Sequence, residues 1–282
     1  KRYQDEFFPS ISWSGQFGPV QTSLAYSLRT SRPGYDFLSD RIKYINSFTL
    51  MQGDPKLKNE RKQEVGMNAR YRWLTLSVSY ERIDNALTQM FNIYGEDNML
   101  LVKRSNIPQP VRNLLVFLSA NPTWGVYSPG WSAGMQKPWT RIWFDDPRAE
   151  SGKVNVSYTK PMFFLTFNNA FRFRRSWQVE ANMNIMTKGD NLNFRMTSNA
   201  YNLGFVVQKC WLKNDALCLR ISLQDVLKRS LQDTYSNAGF LIHTETPIRN
   251  NHRLDVSLRY TFNASKSRYK GTGAGKDAQS RM

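Results

Sequence analysis

The chain has 282 residues, 40% of them hydrophobic and 22% charged, with a net charge of +17. That composition excludes a disordered chain and supplies apolar material for one large domain or two ordinary ones. No apolar run of about 18 residues occurs, so a spanning helix is excluded, and the opening KRYQDEFF lacks the apolar core of a signal peptide.

The first residues already read as strand, which leads us to expect a missing upstream portion. Lys and Arg are scattered through strands and turns and form no dense stripe, which disfavours nucleic acid as a partner and favours anionic lipid headgroups. Any membrane crossing must therefore use alternating strands.

Such alternation starts early. Val20, Thr22, Leu24, Tyr26 and Leu28 fall on one side of a strand, and Gln21, Ser23, Ala25, Ser27 and Arg29 on the other. Val65, Met67, Ala69 and Tyr71 repeat the pattern against Glu64, Gly66, Asn68 and Arg70. Leu74, Leu76, Val78 and Tyr80 follow against Thr75, Ser77, Ser79 and Glu81. Further along come Phe163, Leu165, Phe167 and Phe171, then Trp177, Val179, Ala181, Met183 and Ile185, then Leu217, Leu219, Ile221 and Leu223. The last strand places Leu254, Val256, Leu258, Tyr260 and Phe262 opposite Asp255, Ser257, Arg259 and Thr261.

These strands keep their alternation for about ten residues, where globular strands stop near five or six; ten tilted residues cross a bilayer. The links alternate as well. Short ones are expected at 15–18, Arg72/Trp73, 122–128, 172–176 and 212–215, and long ones at 32–60, 94–98, 144–153, 188–193 and 225–251. Tight periplasmic turns opposite long external loops are the signature of an outer-membrane barrel. Trp13, Trp73, Trp124, Trp177 and Trp211 lie in or near the short links, where an interfacial aromatic girdle belongs. The fold expected is all-β, an antiparallel transmembrane β-barrel of about eleven strands over residues 1–262. Bacterial barrels have even strand numbers, so eleven implies a partial barrel.

The polar sides then face a wet lumen, where Arg29, Arg70, Arg220 and Arg259 either form an electropositive lining for an anionic ligand or pair with carboxylates, those of Glu64, Glu81 and Glu180 or those of an absent plug, and pairing is the reading favoured. Cys210 and Cys218 flank a tight segment and can face each other across a hairpin; pairing and two reduced thiols remain equally open.

Some residues resemble a known family. The segment SRPGYDFLSDRIKYINSFTLMQGDPKLKNE is similar to an external loop of TonB-dependent outer-membrane receptors, through Arg32, Pro33, Tyr35, Gly53, Asp54, Pro55, Leu57 and Glu60. YNLGFVVQKCWLKNDALCLRISLQDVL and HRLDVSLRYTF resemble the closing strands, with Leu254 to Phe262 carrying the assembly signal. The tail resembles that of the Bacteroidetes outer-membrane β-barrel group. Asp225, Val226, Leu227 and Lys228 depart from the family's usual Asp-Ile/Leu-Phe-Asn step.

The resemblance implies the C-terminal half of a twenty-two-stranded receptor that takes up a scarce, unidentified ligand. It also implies an upstream plug and TonB box, with outer-membrane lipid, lipopolysaccharide, the barrel-assembly machinery and TonB as partners. A structural or adhesive barrel, or a passive pore without TonB coupling, is the alternative.

No catalytic, cofactor or metal residues are assigned. GTGAGKD, 271–277, has the wrong spacing for a phosphate loop, and residues 263–282 read as a flexible basic periplasmic tail. His243 and His252 lack a nucleophile and an orienting partner, and Asp145, Asp146 and Glu150 match no calcium-loop spacing.

Overall fold

The computed structural model describes residues 7–96, 99–146, 149–238 and 241–262. The tail 263–282, with its glycine-rich stretch, lies outside the described residues.

In chain order the strands are β1 (Ser10–Phe17), β2 (Val20–Ser31), β3 (Lys43–Asn46), β4 (Thr49–Gln52), β5 (Glu60–Tyr71) and β6 (Leu74–Asp84). Then come β7 (Leu87–Tyr94), β8 (Met99–Asn106), β9 (Val111–Ala120), β10 (Tyr127–Asp145), β11 (Lys153–Tyr158), β12 (Met162–Phe173) and β13 (Trp177–Met186). The remainder are β14 (Gly189–Asn191), β15 (Phe194–Met196), β16 (Ala200–Trp211), β17 (Leu217–Gln224), β18 (Thr234–Ala238), β19 (Leu241–Glu245) and β20 (Arg253–Tyr260).

Eleven of these build one antiparallel wall in the order β1-β2-β5-β6-β9-β10-β12-β13-β16-β17-β20, and β11 extends it by pairing with the distal half of β10. Among the described residues no register joins β1 to β20, so the wall is open. No helix of the described residues is long and apolar enough to cross a membrane, which leaves crossing to strands.

Register carries the sequence alternation across the whole wall. Leu24 opposes Met67, Met67 opposes Val78, Val78 opposes Val116, and Val116 opposes Met135. On the other face Gln21, Arg70, Thr75, Ser119, Ser132 and Thr166 line up in the same way. A one-residue slip anywhere would exchange the two faces. The apolar face is bare: Val65, Leu254 and Leu258 expose 54%, 63% and 68% of their surface. An apolar surface of that extent is unstable in water and is satisfied by lipid.

One edge of the wall carries tight turns at Gly18–Pro19, Arg72–Trp73, Asn121–Val126, Arg174–Ser176 and Leu212–Ala216. They coil in the hand that matches strand twist, with positive φ at Gly18, Arg72, Gly125, Arg175, Ser176 and Leu212. The opposite edge carries the long connections, and these are folded. They form two small sheets, β3-β4-β8-β7 and β14-β15-β18-β19, in the first of which β4 and β8 run parallel.

A main core cluster sits in this cap. Ile107, Tyr158, Ala86, Ile142 and Val111 are 3% exposed or less and pack together. Thr88 donates to Asn193 Oδ1 at 2.5 Å, Asn193 Nδ2 donates to the carbonyl of Gln89 at 2.7 Å, and Phe91 stacks on His243 at 4.3 Å. Connections far apart in sequence are thereby tied into one cap.

Three sequence readings are corrected. The expected link 94–98, of which 97 and 98 lie outside the described residues, falls where Tyr94 of β7 pairs with Met99 of β8, inside a connection between wall strands that runs from 85 to 110. The expected link 188–193 is part of a connection from 187 to 199 that includes β14 and β15. Phe262 does not extend the wall: β20 ends at Tyr260, and the bond from the Thr261 N–H to the carbonyl of Ala216 is followed by a turn.

Candidate functional site

The loop between β2 and β5 holds the motif that resembled the receptors, and much of that motif fastens the loop. The Gly53 N–H bonds the carbonyl of Ser39 and the Asp54 N–H that of Phe37. A Cβ on Gly53 would lie 2.3 Å from the Phe37 oxygen, so only glycine allows this approach. Asp54 Oδ1 accepts the Lys56 N–H, the carbonyl of Asp54 accepts the Leu57 N–H, and Leu57 is buried. Glu60 Oε2 accepts the Leu87 N–H at 2.9 Å, which anchors the next connection.

Arg32, Pro33, Tyr35 and Pro55 instead line a cleft of about 1060 Å³, together with Lys56, Lys58 and Arg61. Arg61 shares the side of Val65 and Met67, so this cleft sits on the outer flank of the rim.

A second cleft, about 470 Å³, lies between the 187–199 connection and the one that follows β17. Lys188, Lys228, Arg229 and Arg249 contribute four cations, against Asp225 and Asp233. Asp225 is 3% exposed and already accepts the Arg229 N–H at 3.2 Å and the Ser230 hydroxyl at 2.7 Å. Its carbonyl meets His252 Nδ1 at 3.1 Å. The departure at Asp225–Lys228 noted in the sequence is thus a cleft wall, and His243 and His252 serve separate packing and turn contacts.

A buried carboxylate supports the neighbouring corner. Asp190 is fully buried, accepts the N–H groups of Thr159 and Lys160, and pairs with Arg195, Nε to Oδ1, at 2.7 Å. The hydrogen bonds that the Arg195 guanidinium donates to Asp190 hold it above its ordinary pKa despite partial burial. Burial raises the Tyr158 phenol, whose hydroxyl accepts the Asn237 N–H at 3.0 Å.

On the lumenal face the acids find a lysine. Lys62 Nζ bridges Glu81 at 2.5 Å and Glu64 at 3.5 Å, two carboxylates that oppose each other across β5 and β6. Among the described residues no ion pair joins Arg29, Arg70, Arg220 or Arg259 to Glu64, Glu81 or Glu180. Arg220 instead reaches Gln208 at 3.4 Å and Arg70 the carbonyl of Arg72 at 3.4 Å. Pairing of these arginines with the wall's own Glu64, Glu81 and Glu180 is corrected: Lys62 sits two residues from Glu64 on the same face and holds both Glu64 and Glu81.

Trp73, Trp124, Trp177 and Trp211 stand at the tight-turn edge, each more than two-fifths exposed. Trp13 opposes Leu24 within β1, four residues before the strand's end. Trp139 and Trp143, which the sequence reading did not use, are exposed on the apolar side of β10 at the opposite edge. The signal for them was available: both continue the outward parity of Trp131, Ala133 and Met135.

A two-faced antiparallel wall with aromatic residues at both edges defines an outer-membrane β-barrel protein. The profile of the outer membrane protein beta-barrel family matches residues 1–260, and the chain belongs to that family. It is located in the outer membrane.

Among solved structures it is similar to the siderophore receptor PirA of Pseudomonas aeruginosa, with 11% identity and a TM-score of 0.52, over 78% of this chain and 39% of that one. It is also similar to a variant of the ferric enterobactin receptor PfeA of Pseudomonas aeruginosa in complex with enterobactin, with 15% identity and a TM-score of 0.50, over 78% of this chain and 35% of that one. The chain thus spans less than two-fifths of the receptors it matches. Curated proteins give no match.

Proposed function

We propose that the chain supplies wall and cap to an energy-coupled importer, and that its cap captures an anionic ligand. The observation that carries this is the cleft between the 187–199 connection and the last long loop. Lys188, Lys228, Arg229 and Arg249 face it, while one of its two aspartates is consumed by bonds within the loop. A cation-lined cleft concentrates anions at a surface, and a polar inner face offers them a wet path. One of the two similar receptors is named for siderophores and the other for ferric enterobactin, so a ferric chelate is the first ligand to test.

Labelled ferric chelate is supplied to cells that carry the full chain or its deletion, with and without an uncoupler. Uptake that requires both the protein and the proton-motive force supports the reading. Uptake that persists under uncoupler indicates a passive pore and overturns it. Exchanging Lys228, Arg229 and Arg249 for Gln is expected to weaken capture by about tenfold, the loss of one or two charge-assisted hydrogen bonds.

A further inference from the structure

The outer face of the wall changes character at one latitude. Tyr26, Val65, Tyr80, Leu114 and Lys137 form one row across five strands. The next row toward the cap reads Leu28, Gln63, Arg82, Arg112 and Trp139. Arg82 and Arg112 oppose each other directly on neighbouring strands, an arrangement that repels unless an anion lies between them. Arg82 is partly compensated by Asp84, Nε to Oδ1 at 3.3 Å. Arg112 is exposed and has no side-chain hydrogen bond or ion pair among the described residues.

These two rows enclose a groove of about 200 Å³ lined by Tyr26, Val65, Tyr80, Gln63, Arg82 and Arg112. Its floor is apolar and aromatic, and its upper lip carries two guanidinium groups and an amide. Position completes the picture. Arg82 stands eight residues above Leu74 at the tight-turn edge, a rise of about 20 Å at the usual strand spacing and tilt, beside the outer limit of an apolar band about 25 Å tall. Lys137 leans over the Trp139 ring at 5.5 Å in the same belt.

We infer that the Arg82–Arg112 groove binds the phosphorylated headgroup of an outer-leaflet lipid. The planar guanidinium groups hold phosphate oxygens bidentately, Gln63 contributes an amide donor, and Tyr26, Val65 and Tyr80 receive the start of an acyl chain. Free phosphate would use the upper lip alone. Only a lipid fills both halves, so the groove is assigned to a lipid. The assignment is independent of ligand import.

The test uses the full chain extracted from outer membranes in mild detergent, with fluorescent bisphosphorylated lipid A as the probe. Slower migration on gels after boiling verifies the fold of each protein. The unaltered protein is expected to bind the probe and to ignore millimolar inorganic phosphate, whereas R82Q/R112Q binds about tenfold more weakly. Arg112→Lys, which keeps the charge and loses the fork, is expected to fall between them. Equal binding by the double variant, equal binding of the dephosphorylated lipid, or full displacement by inorganic phosphate overturns the assignment. If the double variant does not fold, Arg112→Gln alone decides it, because that side chain has no partner to lose.

Discussion

Cys210 and Cys218 oppose each other in register across β16 and β17, Cα to Cα 4.1 Å, and are joined by a disulfide on the lumenal face beside the Leu212–Ala216 turn. The alternative left open in the sequence is thereby decided for pairing. In outer-membrane barrels tight turns face the periplasm, an oxidising compartment in which such a pair is kept oxidised. The bridge closes a short loop, so it restrains the unfolded chain by only about 2.5 kcal/mol. Replacing both cysteines by Ser is expected to leave assembly intact and to lower the urea midpoint of the boiled-versus-unboiled gel shift by an amount no larger than that. Thiol labelling should require prior reduction. Ready labelling without reductant would show that the pair is open in the cell.

Gly53 is the point at which the β2–β5 loop folds back on itself. Gly53→Ala forces Cβ against the carbonyl oxygens of Phe37 and Ser39, at 2.3 and 2.5 Å, and breaks the two backbone bonds there. The expected local cost is about 2 to 4 kcal/mol, since both backbone and packing must move. Because the wall is held separately by its own ladder, the variant should still assemble. Its loop should be cut by external protease on intact cells at least tenfold faster than the parent's.

Wall and cap differed in how legibly they were written. A spanning strand repeats one period for ten residues, so Val65 to Tyr71 or Leu217 to Leu223 declare their faces without help. The cap strands run three to eight residues, as in Gly189–Asn191 and Phe194–Met196, too short for a period to emerge. Their order depends on contacts such as Thr88 to Asn193, more than a hundred residues apart, and on a parallel β4–β8 pair that no hairpin signal announces. Local pattern carries no information about such pairs. The motif Gly53-Asp54-Pro55-x-Leu57 was legible as a motif, yet its role as a fastening became visible only when Phe37 and Ser39 were seen above it. The same holds for the Arg82–Arg112 row, since either arginine alone is an ordinary rim charge.

Tyr158 gives the cap a pH dependence. Its phenol is buried among Ile107, Ile142 and Val111, and burial raises its pKa above the ordinary 10.0. The folded cap therefore keeps the proton at pH values where the unfolded chain releases it. The stabilisation is fully present below pH 10 and is lost as pH rises through the folded-state value. Hydrogen exchange of the Asn237 amide, which donates to the Tyr158 oxygen, is expected to accelerate beyond its base-catalysed rate only above pH 10. In Tyr158→Phe the step should vanish, with about 1 kcal/mol lost at neutral pH. A step that survives in the variant would assign the titration to another group.

The turn between β12 and β13 is a place where sequence and backbone disagree. Arg175 and Ser176 both hold positive φ, 60° and 56°, in the hand that suits a twisted hairpin, although neither residue favours that region. Asn and Gly at these positions adopt it with little strain. Arg175→Asn with Ser176→Gly is therefore expected to stabilise the folded wall by about 0.5 to 1 kcal/mol and to slow its unfolding in urea. One contact opposes the gain, because the Ser176 hydroxyl donates to Asp215 Oδ1 at 2.6 Å and links this turn to the next. Arg175→Asn alone keeps that bond, so it should match or exceed the double variant. If the single change destabilises, the turn is held by the Arg175 side chain rather than by its backbone, and the strain assigned to it is absent.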